Sequence, residues 1–348
     1  MRRCNLILDS CCDLPFEVID KPGIELLRFP YIMSDGEHLD DLYQTTSAHD
    51  FYQAMRDGEE PTTAQVAVPV FQEAFGRAIE SGVPTVYLSF TSGLSGSFDV
   101  ACLVRDQLLA EHPEAELYLV DTLQASVAEG LLVYEAIQQR DKGLTARELA
   151  EWASEARFFV DAEFMVEDLE SLRRGGRIPG SVAYAGSKLD VKPLLTIATD
   201  GKLSLSGVAR GRKKGIKQLV EYYQRRVAKE GPGRCVVVAH ADCQKDADRL
   251  KEMLARLDES LARETDETKK SGFRAMRTAL ECVKMLAGRY AALAAEQLKT
   301  AEGERREQLE LLERTLRKVP AQGAETMYEA VQSFLLMWQV MCAEQAPN

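Results

Sequence analysis

The stretch Ser89-Phe-Thr-Ser-Gly-Leu-Ser-Gly-Ser-Phe98 carries five hydroxyls and two glycines in ten residues. The apolar run Val83 to Leu88 leads into it and reads as a buried strand, and Phe98 to Leu109 reads as the helix that follows. Glycines let a ligand approach the backbone, and a helix N-terminus offers unsatisfied N–H groups to an anion. Such a turn suits a carboxylate or a phosphate. The plainer alternative is a serine N-cap on an ordinary crossover helix. A second hydroxyl-rich loop is Glu60-Pro-Thr-Thr-Ala-Gln65. A third polar group, Asp9-Ser-Cys-Cys-Asp13-Leu-Pro15, follows the apolar run Asn5 to Leu8, at the strand end where α/β folds place ligands. Its competing reading is an Asx turn with an N-cap. Asp9, Asp13 and Ser95 together could serve an enzyme acting on a small anionic substrate. Against that, His38, His49 and His112 lie in polar stretches outside every motif, so no base is placed beside a nucleophile.

Composition narrows the classes. The 348 residues are 45% hydrophobic and 28% charged, enough for a sizeable core and for two or three domains. A net charge of −12 argues against general nucleic-acid or membrane-surface binding. Eight cysteines show no CxxC pair and no zinc-type Cys/His spacing, so neither a metal nor a cofactor is expected and free thiols in a reducing cytoplasm are. Met1-Arg-Arg-Cys4 runs into a strand-like segment with no signal-peptide apolar region, and Phe334 to Cys342 is too short to span a bilayer.

The elements that must position these groups alternate. Strands are expected at Asn5 to Leu8, Ile24 to Ile32, Val83 to Leu88 and Glu116 to Val120. Helices are expected at Ala48 to Arg56, Pro69 to Ser81, Phe98 to Leu109, Val127 to Arg140 and Ala146 to Arg157. That alternation indicates parallel βαβ units and a doubly wound sheet for residues 1–157. Residues 158–262 read as α+β. They hold a strand at Phe164 to Val166, a helix starting at Asp168 to Leu172, and a hairpin of Leu189 to Ala198 and Lys202 to Val208 about Asp200-Gly201. A helix at Lys213 to Lys229, a buried strand at Cys235 to His240 and a helix at Asp246 to Leu261 complete them. From Leu172 to Lys217 there are eleven Lys or Arg against Asp190 and Asp200. A basic block in an acidic chain marks an anionic ligand or partner, or else a solvated face. Residues 263–348 are helical: a charged linker at Glu264 to Lys270, helices at Phe273 to Glu302 and Glu304 to Val319 with Gly303 between, and a last helix at Thr326 to Ala343. Val331, Phe334, Leu335, Met337, Trp338 and Met341 surround most of that last helix, which needs burial and could pair two copies in a homodimer.

Residues 1 to about 250 resemble the DegV family. The motifs, in order, are Ile7-Leu-Asp-Ser-Cys-Cys-Asp-Leu-Pro15, Pro61-Thr-Thr-Ala-Gln65, Thr91-Ser-Gly-Leu-Ser-Gly-Ser-Phe98, Val120-Asp-Thr122 leading to Ser126 and Gly130, Leu172-Arg-Arg-Gly-Gly-Arg-Ile178, Lys192-Pro-Leu-Leu195 and Arg210-Gly-Arg-Lys-Lys214. The resemblance implies a two-domain α/β carrier with a long-chain fatty acid buried between the domains. It also implies a separate fatty acid kinase that makes an acyl phosphate for phospholipid synthesis. On the family pattern Thr63 and Ser95 bind the carboxylate, with Thr62, Ser92 and Gly96 beside them and Arg177 from the Gly-Gly-Arg-Ile motif nearby. Arg210, Arg212 and Lys213 match the segment implicated in kinase docking. No catalytic residue is implied. Ala64 stands where the family usually has Ser, which removes one donor.

The family's closing strand and its His-Xaa-Gly-Pro-Gly segment are not found after His240-Ala-Asp242. Ala275 to Asn348 is instead similar to an internal helical segment of pyruvate formate-lyase-like glycyl radical enzymes. The residues that carry this are Arg289-Tyr-Ala-Ala-Leu-Ala294, Arg305-Arg-Glu-Gln-Leu309, Lys318-Val-Pro320 and Glu329-Ala-Val-Gln-Ser-Phe334. Neither the thiyl-radical cysteine motif nor the glycyl-radical loop is present, and Cys282 and Cys342 match neither, so radical chemistry is not expected. The chain looks like a fusion. Its tail is expected to form a poorly anchored bundle, and a fusion product with impaired lipid binding is the alternative to a working carrier.

Overall fold

The structure, a computed structural model, describes residues 4–167, 169–178, 190–230, 235–319 and Thr326, with side chains at 228–230 and 260–286 left aside. Its strands in chain order are β1 (Asn5–Asp9), β2 (Ile24–Leu27), β3 (Pro30–Met33), β4 (Gly36–Leu39), β5 (Thr62–Thr63), β6 (Thr85–Ser89), β7 (Leu117–Asp121), β8 (Glu163–Met165), β9 (Val191–Ile197) and β10 (Leu203–Arg210). Its helices are α1 (Phe16–Ile19), α2 (Ala48–Arg56), α3 (Val68–Glu80), α4 (Ser97–Glu111), α5 (Ser126–Asp141), α6 (Ala146–Ala156), α7 (Glu170–Arg174), α8 (Arg212–Glu230), α9 (Gln244–Gln297) and α10 (Gly303–Lys318).

A parallel sheet in the order β2-β1-β6-β7 forms the centre of the first part of the chain. Its strands are apolar on both faces because helices cover both. Leu6, Leu8, Val86 and Leu88 pack with Val133, Ile137 and Leu149 of α5 and α6. Ile7 and Tyr87, pointing the other way by the two-residue period, pack with Phe71 and Phe75 of α3 and Val104 of α4. Phe71, Phe75 and Tyr87 form a cluster with ring centroids 5.5 to 5.9 Å apart. Proline at the start of α3 and a Thr145–Glu148 capping box on α6 set those helix starts.

The expected strand Ile24 to Ile32 is two strands. Ile24–Leu27 joins the parallel sheet, whereas Pro30–Met33 pairs antiparallel with β4 and β5. Pro30 brings a fixed φ and no N–H, so the chain starts a new strand there. A second antiparallel sheet, β10-β9-β8, carries the predicted hairpin. Gly201 turns it at φ +77°, and a bulge falls between Leu205 and Gly207. Helix α8 lies close against β8: a Cβ at Gly215 would come within 2.1 Å of Met165 Sδ.

Two further expectations are corrected. Cys235 to His240 is not a buried strand: it joins no ladder among the described residues, and Val236 and Val237 are exposed. Strand propensity needs an open hydrogen-bonding neighbour to be realised. The charged linker Glu264 to Lys270 lies inside α9, because its Glu and Lys residues are good helix formers. The helix expected at Thr326 to Ala343, with its pairing face, lies outside the described residues apart from Thr326.

The chain divides into two units, Met1–Leu257 and Asp258–Asn348. In the second, Ala287 and Ala291 of α9 pack against Leu312 and Leu316 of α10, small residues admitting large ones. Among the described residues no helix is long and apolar enough to cross a membrane. The Phe71–Phe75–Tyr87 cluster predicts that Phe75→Ala costs about 3–5 kcal/mol in urea unfolding, the range for an emptied aromatic site.

Candidate functional site

The hydroxyl-rich turn lies between β6 and α4, as the strand–helix reading requires. It is fixed from below by a carboxylate. Asp9, the last residue of β1, is fully buried and accepts from the Phe90 amide at 2.6 Å and the Cys11 amide at 3.1 Å. One side chain thus ties together the loops that leave β1 and β6. Asp9 is also the N-cap of the short turn Ser10–Cys12, which is the Asx reading of this motif. Beside it Glu129 of α5 is fully buried, with neither carboxyl oxygen in a hydrogen bond of normal geometry. Burial first, and the Asp9 charge next, hold Glu129 well above the usual carboxylate range. Burial raises Asp9 from 3.8 to about 7 despite its backbone donors, and raises Asp13 to about 6. Asp13 is hydrogen-bonded by the Ser126 hydroxyl. The Asp9, Asp13 and Ser95 constellation therefore does not present three open groups to a substrate. His38, His49, His112 and His240 contact Asp35, Asp242, Glu114 and Gln244, away from the turn.

Along the turn the hydroxyls have different duties. Thr91 is buried; its Oγ1 donates to the Gly201 carbonyl at 3.0 Å and accepts from the Gly93 amide at 3.0 Å. Ser92 is held to Asp121 by both its amide, at 3.2 Å, and its hydroxyl, at 2.5 Å. Asp121 also accepts from the Leu123 amide, so Ser92 serves to close a loop, a role its place in the motif does not announce. Ser95 is half-buried. Its Oγ accepts from the Ser97 amide at 3.2 Å and lies 3.0 Å from Ser97 Oγ. The helix cap is Gly96, which offers no side chain to the first-turn N–H groups, so the serine N-cap reading does not hold.

The Thr62–Thr63 loop reaches the same place. Ser97 Oγ accepts from the Val66 amide at 3.2 Å. A Cβ on Gly96 would come within 1.9 Å of Gln65 Nε2, so the Gln65 carboxamide lies directly over that glycine. Thr62 and Thr63 themselves are exposed. Thr62 lines an open cleft of about 820 Å³ with Ile32, Met33, Glu59 and Glu60, and neither Ser95 nor Arg177 lines it.

Residues 158–262 supply two contacts to the turn. Arg177 Nε donates to the Leu94 carbonyl at 3.1 Å, one residue before Ser95, and its other nitrogen donates to Gly175 at 2.5 Å. At the hairpin tip, Gly201 meets Gly93 so closely that a Cβ on Gly93 would lie 2.6 Å from the Gly201 backbone. Of the basic residues, Arg210, Lys213 and Lys214 are exposed. Arg212 instead bonds Asp246 and Glu167, each at 2.7 Å, and Lys192 bonds Glu167 as well. Among the described residues no group of three His, Cys, Asp or Glu could hold a metal ion.

A parallel α/β sheet whose hydroxyl-bearing strand–helix turn is gripped by a second, antiparallel sheet places the chain in the two-sheet α/β class. Residues 3–271 match the family model described as "Uncharacterised protein, DegV family COG1307", and the chain belongs to the DegV family. It is 34% identical over 254 residues to the DegV domain-containing protein CPE0026 of Clostridium perfringens, covering 73% of this chain and 87% of that one. The crystal structure of a DegV lipid binding protein from Thermotoga maritima matches with a TM-score of 0.61 at 25% identity, covering 73% and 87% of the two chains. A DegV family protein from Thermus thermophilus described for its fatty acid binding matches with a TM-score of 0.54 at 27% identity, covering 64% and 77%. Residues 221–348 match a second family model, pyruvate formate lyase-like.

Two predictions follow from the fixed groups. Asp9 keeps its proton to about pH 7 in the folded chain but ionises near 3.8 when unfolded. The folded state thus binds more protons between these values, so the contribution of Asp9 to stability is fully present below about pH 4 and is lost as pH rises to about 7. Asp9→Asn removes this titration and flattens the fall of melting temperature between pH 4.5 and 7.5; an unchanged slope would refute the assignment. Gly93→Ala drives a methyl into the Gly201 backbone, which has no flexible end to yield, and lowers stability by about 1–3 kcal/mol in thermal unfolding.

Proposed function

We propose that this chain is a carrier that binds a long-chain fatty acid and presents it to a partner fatty acid kinase, without catalysing a reaction itself. The observation that carries this reading is the junction at Ser97 and Gly96. There the Thr62–Thr63 loop and the Ser95 turn meet at a helix start whose Gly96 cap has no side chain and whose first amide, that of Ser97, is held by Ser95 Oγ. Two hydroxyls and first-turn amides are the donors that an ionised carboxylate takes up in charge-assisted bonds. The fatty-acid and lipid binding of the structural relatives at 25% and 27% identity supports the same ligand class.

In this reading Thr63 and Ser95 donate to the head group, with Thr62, Ser92 and Gly96 shaping its surroundings. Arg177 adds positive charge from 83 residues further along the chain than the Leu94 carbonyl it holds. The acyl chain contributes roughly 0.8 kcal/mol per buried methylene, so the tail supplies most of the affinity and the head group the orientation. Arg210 and Lys213 form the kinase-facing patch; Arg212 braces them through Glu167 and Asp246. The place of action is the cytoplasm, where the acyl phosphate is consumed.

A second reading is a fusion product with weakened binding, favoured by the Cys235 to His240 segment, which joins no ladder among the described residues and leaves Val236 and Val237 exposed. Lipid extraction and native mass spectrometry of the purified full chain separate the two. A fatty acid near one per chain supports the carrier; traces only, with no uptake of added oleate, support the impaired fusion. Ser95→Ala and Thr63→Val should each weaken oleate binding about tenfold, the effect of one charge-assisted hydrogen bond.

A further inference from the structure

We propose that Ser97 is the positioning residue that makes the head-group site selective for a carboxylate; this rests on the fatty-acid reading above. Ser97 is 1% exposed and touches no solvent-facing ligand position itself. Its hydroxyl joins the two loops that carry the ligand hydroxyls. It accepts from the Val66 amide at 3.2 Å, three residues after Thr63, and from Ser95 Oγ at 3.0 Å. Those two bonds fill both acceptor positions of a hydroxyl oxygen.

In the empty site the Ser95 proton therefore rests on Ser97. An arriving carboxylate is a stronger acceptor, and the Ser95 hydroxyl turns to donate to it. The two oxygens stay 3.0 Å apart, so the Ser97 hydroxyl can turn its own proton onto Ser95 Oγ. That oxygen already accepts the Ser97 amide, which keeps it in place during the exchange. The count of hydrogen bonds within the pair is unchanged and the ligand bond is added; the Ser97-to-Ser95 bond polarises the Ser95 hydroxyl, which strengthens its bond to a charged acceptor most. A neutral alcohol oxygen takes the same bond at roughly half the strength, so the relay favours the carboxylate. The Gln65 carboxamide lies over Gly96, within 1.9 Å of where a Cβ would stand, so the two loops also meet there.

The test compares oleate with oleyl alcohol on the full chain, by competition against a fluorescent fatty acid. The ratio of the two affinities is the readout, because loss of fold alone lowers both together. Ser97→Ala should reduce the preference for oleate about tenfold, with Ser97→Thr restoring most of it and the core variant Phe75→Ala leaving it unchanged. Should Ser97→Ala not fold, Ser97→Cys, whose thiol is a weak acceptor, carries the same expectation. A wild-type ratio in the Ser97 variant overturns the proposal alone. A wild-type chain that binds neither ligand, or does not prefer oleate, overturns both the proposal and the fatty-acid reading.

Discussion

Asp9 ends its strand with no water around it and takes the Phe90 amide at 2.6 Å and the Cys11 amide at 3.1 Å. Every residue of the turn from Thr91 to Ser97 hangs from that attachment, because Phe90 is where the chain leaves β6. A buried carboxyl is costly unless it is bonded or protonated. Asp9 uses both routes: backbone donors satisfy its oxygens, and burial favours its protonated form, while the Asp9 charge in turn helps hold the neighbouring Glu129 protonated. The result is a floor beneath the turn in which burial opposes a second ionised carboxylate beside the first.

The turn is gripped from above by backbone rather than by long side chains. Gly93 and Gly201 meet with no Cβ on either, and Thr91 reaches across to the Gly201 carbonyl. Arg177 contributes a guanidinium, and it spends its Nε on the Leu94 carbonyl. Contacts of this kind transmit position closely, since neither partner has rotamers to absorb a shift. A movement of the β9–β10 hairpin must move Gly93, and with it Ser95 two residues on. The geometry of the Ser95 turn and the packing of the second sheet are one mechanical system.

Much of this was legible in the chain. Runs such as Thr85–Ser89 and Asn5–Asp9 announce strands covered on both faces, and Asp200-Gly201 announces its hairpin. The turn itself was legible because hydroxyls and glycines at a strand–helix junction have few other uses. What could not be read were the partners. Ser92 looks like a ligand donor until Asp121, from the neighbouring strand, is seen to hold it. Arg212 looks like part of a free basic surface until Glu167 and Asp246 are placed beside it. Ser97 attracts no notice in the motif, although its bond to Val66 joins two loops 31 residues apart. Sequence spacing records which groups a segment can offer, not which distant segment uses them.

Cys235 to His240 shows the same limit more sharply. Its valines favour a strand, yet among the described residues it pairs with nothing and Val236 and Val237 are exposed. A strand exists only as part of a ladder, so propensity without a neighbour leaves an extended apolar segment facing water. This is the region where the two family models overlap, over residues 221–271. The DegV-like body thus meets the pyruvate formate lyase-like segment within the stretch where the expected strand pairing gives way to the long helix α9. Helices close their own hydrogen bonds, whereas strands borrow them from neighbours. A junction between two unrelated sequences is therefore better tolerated in a helix than in a sheet.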